Sequence, residues 1–153
     1  DVNGTDLDLH LRHPRALNWF DDQLDCSYSN PVPDWGVPNR PTDNPSLDID
    51  DRNGAGPENI NLDNPETVGP YVVGVHYYRS TVGNFGGMDF GPSDATVRIY
   101  LDGELTDERI FSQRLNSTND FWEVGSIFWD VEPDNRRVTP INVVRQIDPF
   151  AED

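Results

Sequence analysis

Residues 6–12 read Asp-Leu-Asp-Leu-His-Leu-Arg, a strict alternation of polar and apolar side chains. Successive side chains of a β-strand point to opposite faces of the sheet. The alternation therefore places the three leucines on one face and Asp6, Asp8, His10 and Arg12 on the other. We expect a half-buried strand whose leucines meet the core and whose polar side chains meet solvent.

The same period of two recurs along the chain, and no segment shows the 3.6-residue period of an amphipathic helix. Between the alternating segments lie long loops rich in Pro, Gly and Asp, and Asp102-Gly103 predicts a tight hairpin turn. The sequence thus predicts an all-β protein, a single antiparallel β-sandwich of about seven to nine strands. The further strands expected are Trp19–Phe20, Cys26–Tyr28, Ser46–Asp50, Asn59–Leu62, Tyr71–Tyr78, Ala95–Leu101, Glu104–Phe111 and Phe121–Val131.

Composition suggests one sandwich domain over residues 1–132. Residues 133–153 are more polar, so we expect a C-terminal extension or linker, with an added edge strand at Ile141–Ile147 as the alternative. The single cysteine, Cys26, has no partner for an internal disulfide. It is expected to be a small buried residue in a strand.

The chain carries 28 acidic and 11 basic residues, a formal net charge of −17. A surface this acidic repels phosphate backbones and anionic headgroups, which excludes nucleic acid and electrostatic membrane docking as expected partners. No apolar run approaches the ~20 residues of a membrane span, so direct membrane insertion is not expected either. Cations are the natural partners of such a surface.

Carboxylates are concentrated in the first strand and in the loop that follows the Ser46–Asp50 strand. Calcium takes about 6–8 oxygen ligands from carboxylates, amide side chains and backbone carbonyls held on a turn. We therefore expect a Ca²⁺ site in which these two segments meet; the alternative is that the acids only form turns on a solvated face. The expected ligands are Asp6, Asp8, Asp48, Asp50, Asp51, Asn53 and Glu58.

Two histidines offer a different metal chemistry. His10 and His76 both fall in expected strands, and Asp8 shares a face with His10. Two imidazoles and a carboxylate could hold Zn²⁺ or a similar ion with an open position for water, as in metal-dependent hydrolases. The alternative is a pair of hydrogen-bonded structural histidines. His13, which precedes Pro14, is expected in a turn.

Aromatic residues near loops suggest a third kind of site. Exposed rings on a calcium-binding sandwich can stack on sugars, and Trp19, Trp35 and Tyr78 are the candidates. The alternative is that these rings fill the core, because the chain has few aliphatic residues.

Eight motifs follow one another in a recognisable order: Asp6–Leu11, Asp25-Cys26, Asn30-Pro31, Pro33–Gly36, Asn44–Asp51, Gly56–Ile60, Tyr71–Tyr78 and Ala95–Tyr100. Together they resemble one family, the YfaP-type group of bacterial domains of unknown function, in the form that occurs within large secreted or surface proteins beside immunoglobulin-like modules. The order of an Asp-x-Asp strand, an Asp-Asp-x-x-Gly loop and a Tyr-Val strand is also similar to the calcium-binding TerD sandwich.

The resemblance implies an extracellular or cell-surface location, with the periplasm as an alternative, and other domains or subunits of a surface assembly as partners. We expect a non-catalytic Ca²⁺-binding module with a structural or adhesive role in such an assembly. The alternatives are a Ca²⁺-dependent carbohydrate-binding module, whose partner would be a polysaccharide, and a metal-dependent hydrolase.

Overall fold

Strands form most of the regular structure in residues 5–50, 56–80 and 91–149, the parts of the chain that the computed structural model describes. In these ranges no helix has the length and apolarity needed to cross a membrane. All strand pairs are antiparallel, and the predicted all-β sandwich is confirmed. The strands are β1 Thr5–Arg12, β2 Asp25–Cys26, β3 Ser46–Ile49, β4 Asn59–Asn61, β5 Pro70–Ser80, β6 Ser93–Arg98, β7 Ile110–Leu115, β8 Asp120–Phe128 and β9 Arg137–Gln146.

One layer is a five-stranded sheet with the order β2-β1-β5-β8-β9. The other layer consists of two separate ribbons, β3-β4 and β6-β7, which pack on one face of that sheet. The core between the layers draws on both, and its buried members include Leu11, Leu47, Val73, Val75, Tyr77, Ala95, Val97, Leu115, Trp122 and Val124.

An irregularity in β8 allows two tryptophans to share this core. Trp122 and Trp129 are seven residues apart, a spacing that puts them on opposite faces of a regular strand. The register of β8 shifts against both of its neighbours close to Glu123. Trp122 is buried, and Trp129 packs against the same cluster.

The opposite face of the five-stranded sheet is also covered, and the prediction that the polar side of β1 meets solvent is wrong. Asp8 is 2% exposed and His10 is fully buried. The segment after β1 folds back over them, so that the rings of Trp19 and Phe20 contact His10. Alternation correctly separated the two faces of β1, but it does not reveal that a loop covers the second face.

Two strand predictions need correction. Trp19–Phe20 is not a strand; the pair lies in turns, and Phe20 has a φ of 60°. The Asp102-Gly103 turn is confirmed by two positive φ angles and a bridge between Leu101 and Glu104. The following strand, expected from Glu104, begins only at Ile110, because a 3-10 turn at Asp107–Arg109 precedes it.

Two other segments were left open by the sequence. The C-terminal segment contains β9, which pairs along most of its length with β8 and forms one edge of the five-stranded sheet. Cys26 lies in β2 with no exposed surface. Burial raises the pKa of its thiol to about 12, which keeps it protonated and unreactive at neutral pH.

Candidate cation site

Three acidic residues from distant parts of the chain meet at the edge of β1. Asp8 lies in the middle of β1, Asp50 follows the last residue of β3, and Glu58 directly precedes β4. Because β3 and β4 pair antiparallel, the end of β3 and the start of β4 lie together. This pairing brings Asp50 and Glu58 to one end of the ribbon, next to Asp8.

The carboxylates approach one another closely. One ligand oxygen from each of Asp8, Asp50 and Glu58 lies within 4.8 Å of the other two. The Leu9 N–H donates to Glu58 Oε2 at 2.5 Å, which holds this side chain against the edge of β1. That edge is open here because β2 pairs only with Leu11 and Arg12.

Asp8 supplies the buried part of the cluster. Its Oδ2 has no hydrogen-bond donor within the described residues, and His76 Nδ1 lies 3.9 Å from it. A buried carboxylate without hydrogen bonds or a paired charge costs several kcal/mol. Oxygens bound to one calcium ion at about 2.4 Å lie no more than about 4.8 Å apart, which matches the observed cluster. The arrangement can therefore accept a hard divalent cation.

Among the described residues, the other predicted calcium ligands, Asp6 and Asp48, do not join this group. Asp48 is exposed, and its carboxylate accepts hydrogen bonds from Ser46, Asn59 and Asn61. Alternation suggested that Asp48 and Asp50 share a face, but Asp50 lies beyond the end of β3, where strand periodicity no longer applies. The predicted ligands Asp51 and Asn53 lie outside the described residues.

Asp6 lies close enough to contribute to the local field. Burial raises the pKa of Tyr28, and the nearby Tyr78, Asp8 and Asp6 raise it further by disfavouring the phenolate. The region around Asp8 is thus strongly negative, as a cation site requires.

His10 belongs to a buried pair with Asp25, a residue that the sequence did not single out as functional. His10 Nδ1 lies 3.1 and 3.0 Å from the two carboxylate oxygens of Asp25, which also accepts the Phe20 N–H at 2.7 Å. Because a carboxylate only accepts hydrogen bonds, His10 Nδ1 carries a proton and donates to Asp25. The short spacing of Asp25 from Phe20 is a turn signal, but no local pattern links it to His10.

His76 lies directly opposite Asp8 in the β1–β5 pair, a position that the sequence left open. Its ring centroid is 6.2 Å from that of His10, and Phe20 and Phe121 pack against both imidazoles. Neither histidine belongs to the group of ligand atoms around Asp8, Asp50 and Glu58. Both imidazoles are fully buried, so a substrate does not reach them in this conformation.

The candidate sugar-binding rings are mostly internal. Trp35 is 2% exposed and donates its ring N–H to the Gln23 carbonyl, while Trp19 is 9% exposed and donates to Glu123. Tyr78 is half-buried beside Tyr28, with ring centroids 5.3 Å apart. Trp19 and Trp35 therefore cannot form a surface platform in this conformation.

His13 begins the expected turn, because its carbonyl accepts the Ala16 N–H at 3.0 Å, and its side chain is buried. Its Nδ1 accepts the Arg15 N–H at 3.1 Å, so its Nε2 carries the proton and donates to Glu66 at 2.9 Å. Burial lowers the pKa of His13 below its ordinary value of 6.5, and the hydrogen bond to Glu66 opposes that shift only in part.

The fold and the site together define the class of this protein. It is an antiparallel β-sandwich with a cluster of three carboxylates at the edge of β1, one of which is buried. No protein-family model, curated protein or solved structure matches the chain. The resemblance to the YfaP-type group and to the TerD sandwich therefore stays a prediction.

Proposed function

We propose that this chain is a non-catalytic, calcium-binding β-sandwich module with a structural or adhesive role in a larger secreted or surface assembly. The observation that carries the proposal is the convergence of the Asp8, Asp50 and Glu58 carboxylates, together with the burial of Asp8, whose Oδ2 has no hydrogen-bond donor among the described residues. Without a cation the three carboxylates repel one another, so binding favours the folded state.

The position of the cluster gives the ion a mechanical role. Asp8 belongs to the five-stranded sheet, whereas Asp50 and Glu58 belong to the β3-β4 ribbon. A cation bound by all three would link the two layers of the sandwich at the open edge of β1. Such a link suits a module that experiences the millimolar calcium outside cells and must resist unfolding within an assembly.

The two alternatives receive less support. A carbohydrate platform built on Trp19 and Trp35 conflicts with the burial of both rings. A hydrolase centred on His10, Asp8 and His76 conflicts with the burial of both imidazoles and with the absence of either one from the group of converging ligand atoms.

Thermal melting with and without calcium tests the proposal. At a calcium concentration of about 100 times the dissociation constant, binding adds about 2.7 kcal/mol to the free energy of unfolding. For a chain of this length that corresponds to a rise in Tm of about 5–11 °C relative to EDTA. An identical Tm in EDTA and in millimolar Ca²⁺ would sink the proposal.

Matched variants locate the effect. Asp8→Asn and Glu58→Gln are expected to remove most of the calcium-dependent rise in Tm, because each deletes one converging carboxylate. Asp48→Asn removes the same charge from a neighbouring exposed site and is expected to retain the rise. A rise that disappears in Asp48→Asn but persists in Asp8→Asn would place the ion elsewhere.

A further inference from the structure

The layer made of two ribbons is interrupted by a cleft. This cleft has a volume of about 960 Å³, and its walls are residues 56–63 on one side and residues 94–103 on the other. No residue of β3 or β7 lines it, so the edges facing the cleft are those of β4 and β6. Its floor is formed by the five-stranded sheet and by the residue that directly follows β8. The floor includes Leu7, Leu9, Val73, Val75, Ile127 and Trp129.

The edge of β6 that faces the cleft presents main-chain groups. The Ile99 N–H donates to the Arg109 carbonyl, on the β7 side of the strand. In an antiparallel pair the N–H and C=O groups of alternate residues point to opposite sides. Those of Thr96 and Arg98 therefore point away from β7, and β6 pairs with no other strand among the described residues.

The edge of β4 behaves in the same way. The Leu47 N–H donates to the Pro31 carbonyl, away from β4, although Leu47 is the partner of Ile60 in the register. Leu47 and Ile60 thus form a pair without mutual main-chain hydrogen bonds, and the N–H and C=O of Ile60 face the outer edge. Within the described residues β4 pairs only with β3.

We propose that the cleft binds an extended, basic segment of a partner protein as an added strand between β4 and β6. Unpaired strand edges are templates for strand addition, and here two such edges border one apolar floor. The added strand would join the ribbons into one five-stranded sheet facing the existing five-stranded sheet. Alternate side chains of the segment would lie on Leu7 and Leu9, which are only partly buried by the chain itself.

Charge selects the partner. Among the described residues that line the cleft, Glu58, Asp63, Asp94 and Asp102 are acidic and Arg98 is basic. Asp94 and Asp102 pair with Arg114 and Arg136, so the preference for a basic partner rests mainly on the net charge of −17 that the whole chain carries. A second copy of this chain would bring a net charge of −17 towards these acids and would be repelled. A segment with apolar residues at alternate positions and Arg or Lys at its ends satisfies the edges, the floor and the charge together.

The proposed strand addition is tested by measuring how the full chain, in millimolar Ca²⁺, binds to an array of octapeptides. The peptides carry Arg or Lys at both ends, Thr at outward positions, and Val, Ile, Leu or Tyr at the alternate positions. We expect saturable binding of one peptide per chain by some members. Replacing the terminal Arg with Glu removes charge complementarity, and N-methylating either alternate set of peptide nitrogens removes main-chain hydrogen bonds. Each change is expected to weaken binding roughly tenfold or more.

Amide hydrogen exchange provides a control within the same strand. On peptide binding, the amides of Thr96, Arg98 and Ile60 are expected to gain protection, whereas those of Ala95 and Val97 already point towards β7 and change little. Thr96→Pro deletes one donor to the cleft and is expected to weaken binding roughly tenfold, and Thr96→Val keeps that donor and the affinity. Circular dichroism checks that both variants fold.

Three results would overturn the proposal. In the first, no basic alternating peptide of the array binds. In the second, N-methylation of the peptide leaves its affinity unchanged. In the third, the chain forms a concentration-dependent dimer that protects the Thr96, Arg98 and Ile60 amides from exchange without peptide. The second result would mean that the cleft recognises peptide side chains without main-chain hydrogen bonds. The third would mean that a second copy of the chain occupies the cleft.

Discussion

At the scale of single residues, the buried polar groups on the second face of the sheet set the main energetic constraint. The carboxylate of Asp25 satisfies His10 Nδ1 and the Phe20 N–H in a site with almost no solvent. In the part of the chain that the structure describes, Asp8 Oδ2 has no such donor, and the His76 imidazole Nδ1 lies 3.9 Å from it. Of these two buried acids, Asp8 is therefore the one whose charge calls for a bound cation.

His13 gives the protein a pH dependence whose sign follows from its lowered pKa. Below pH 6.5 the unfolded chain binds a proton at this histidine more readily than the folded protein does. The stability that neutral His13 contributes is therefore fully present above pH 6.5. It is lost as the pH falls towards the lower pKa that His13 has in the folded protein.

We expect the free energy of unfolding, measured with urea at pH 7, 6 and 5, to fall less steeply with decreasing pH in His13→Gln than in the original protein. Glutamine keeps a donor for Glu66 but does not titrate. All other titratable residues are the same in the two proteins, so the difference between the two slopes isolates His13. Parallel slopes would contradict the assignment.

At the scale of elements, strand periodicity predicted what local geometry controls and missed what distant contacts control. The alternation in β1 and β6 identified their faces, and the Asp102-Gly103 turn followed from two residues that tolerate positive φ. The covering of β1 by Trp19 and Phe20 depends on packing against Phe121, 101 or more positions away in sequence. No local period encodes such a contact.

The same distinction applies to the candidate site. Asp8, Asp50 and Glu58 were predicted as ligands because acids are concentrated in two segments, and the structure brings those three together. Asp48 was included by strand alternation, yet its hydrogen bonds to Asn59 and Asn61 hold it on the outer side of the ribbon. The choice between Asp48 and Asp50 depends on where β3 ends, which the sequence does not specify to a single residue.

Gly74 in β5 makes the covered face of the sheet possible. A Cβ at this position would lie 2.6 Å from ring atoms of Phe121 and 2.9 Å from Trp19, closer than real contacts allow. We expect Gly74→Ala to reduce the free energy of unfolding in urea by about 1–3 kcal/mol, because the rings must move off His10.

Gly103→Asn is the control for that substitution. Gly103 has a φ of 78° and nothing within 4 Å of an added Cβ, and asparagine tolerates the left-handed region. Its expected effect is below about 0.5 kcal/mol. Equal effects of the two substitutions would mean that the space above Gly74 is not limiting.

At the scale of the whole molecule, the acidic residues outnumber the positive charges that the arginines and one bound cation supply. Eleven arginines face 28 acids, and the pairs include exposed contacts such as Arg114–Asp94 at 3.0 Å, which contribute little individually. One divalent ion would reduce the formal charge of −17 by only two units. The folded state therefore retains a large self-repulsion that dissolved salt can screen.

This repulsion predicts a salt dependence distinct from the effect of calcium. In EDTA, raising NaCl from about 0.01 M to 0.3 M shortens the Debye length from about 30 Å to below 8 Å. If screening relieves about 1–2 kcal/mol of repulsion, Tm rises by about 2–8 °C. Asp8→Asn is expected to keep this rise, because it removes only one of 28 acids, while losing the additional rise that Ca²⁺ produces over NaCl at equal ionic strength. A Tm that falls with NaCl would show that attractive surface ion pairs outweigh the repulsion between like charges. A calcium effect that NaCl reproduces fully would show that Ca²⁺ only screens the overall negative charge and does not bind the Asp8, Asp50 and Glu58 cluster specifically.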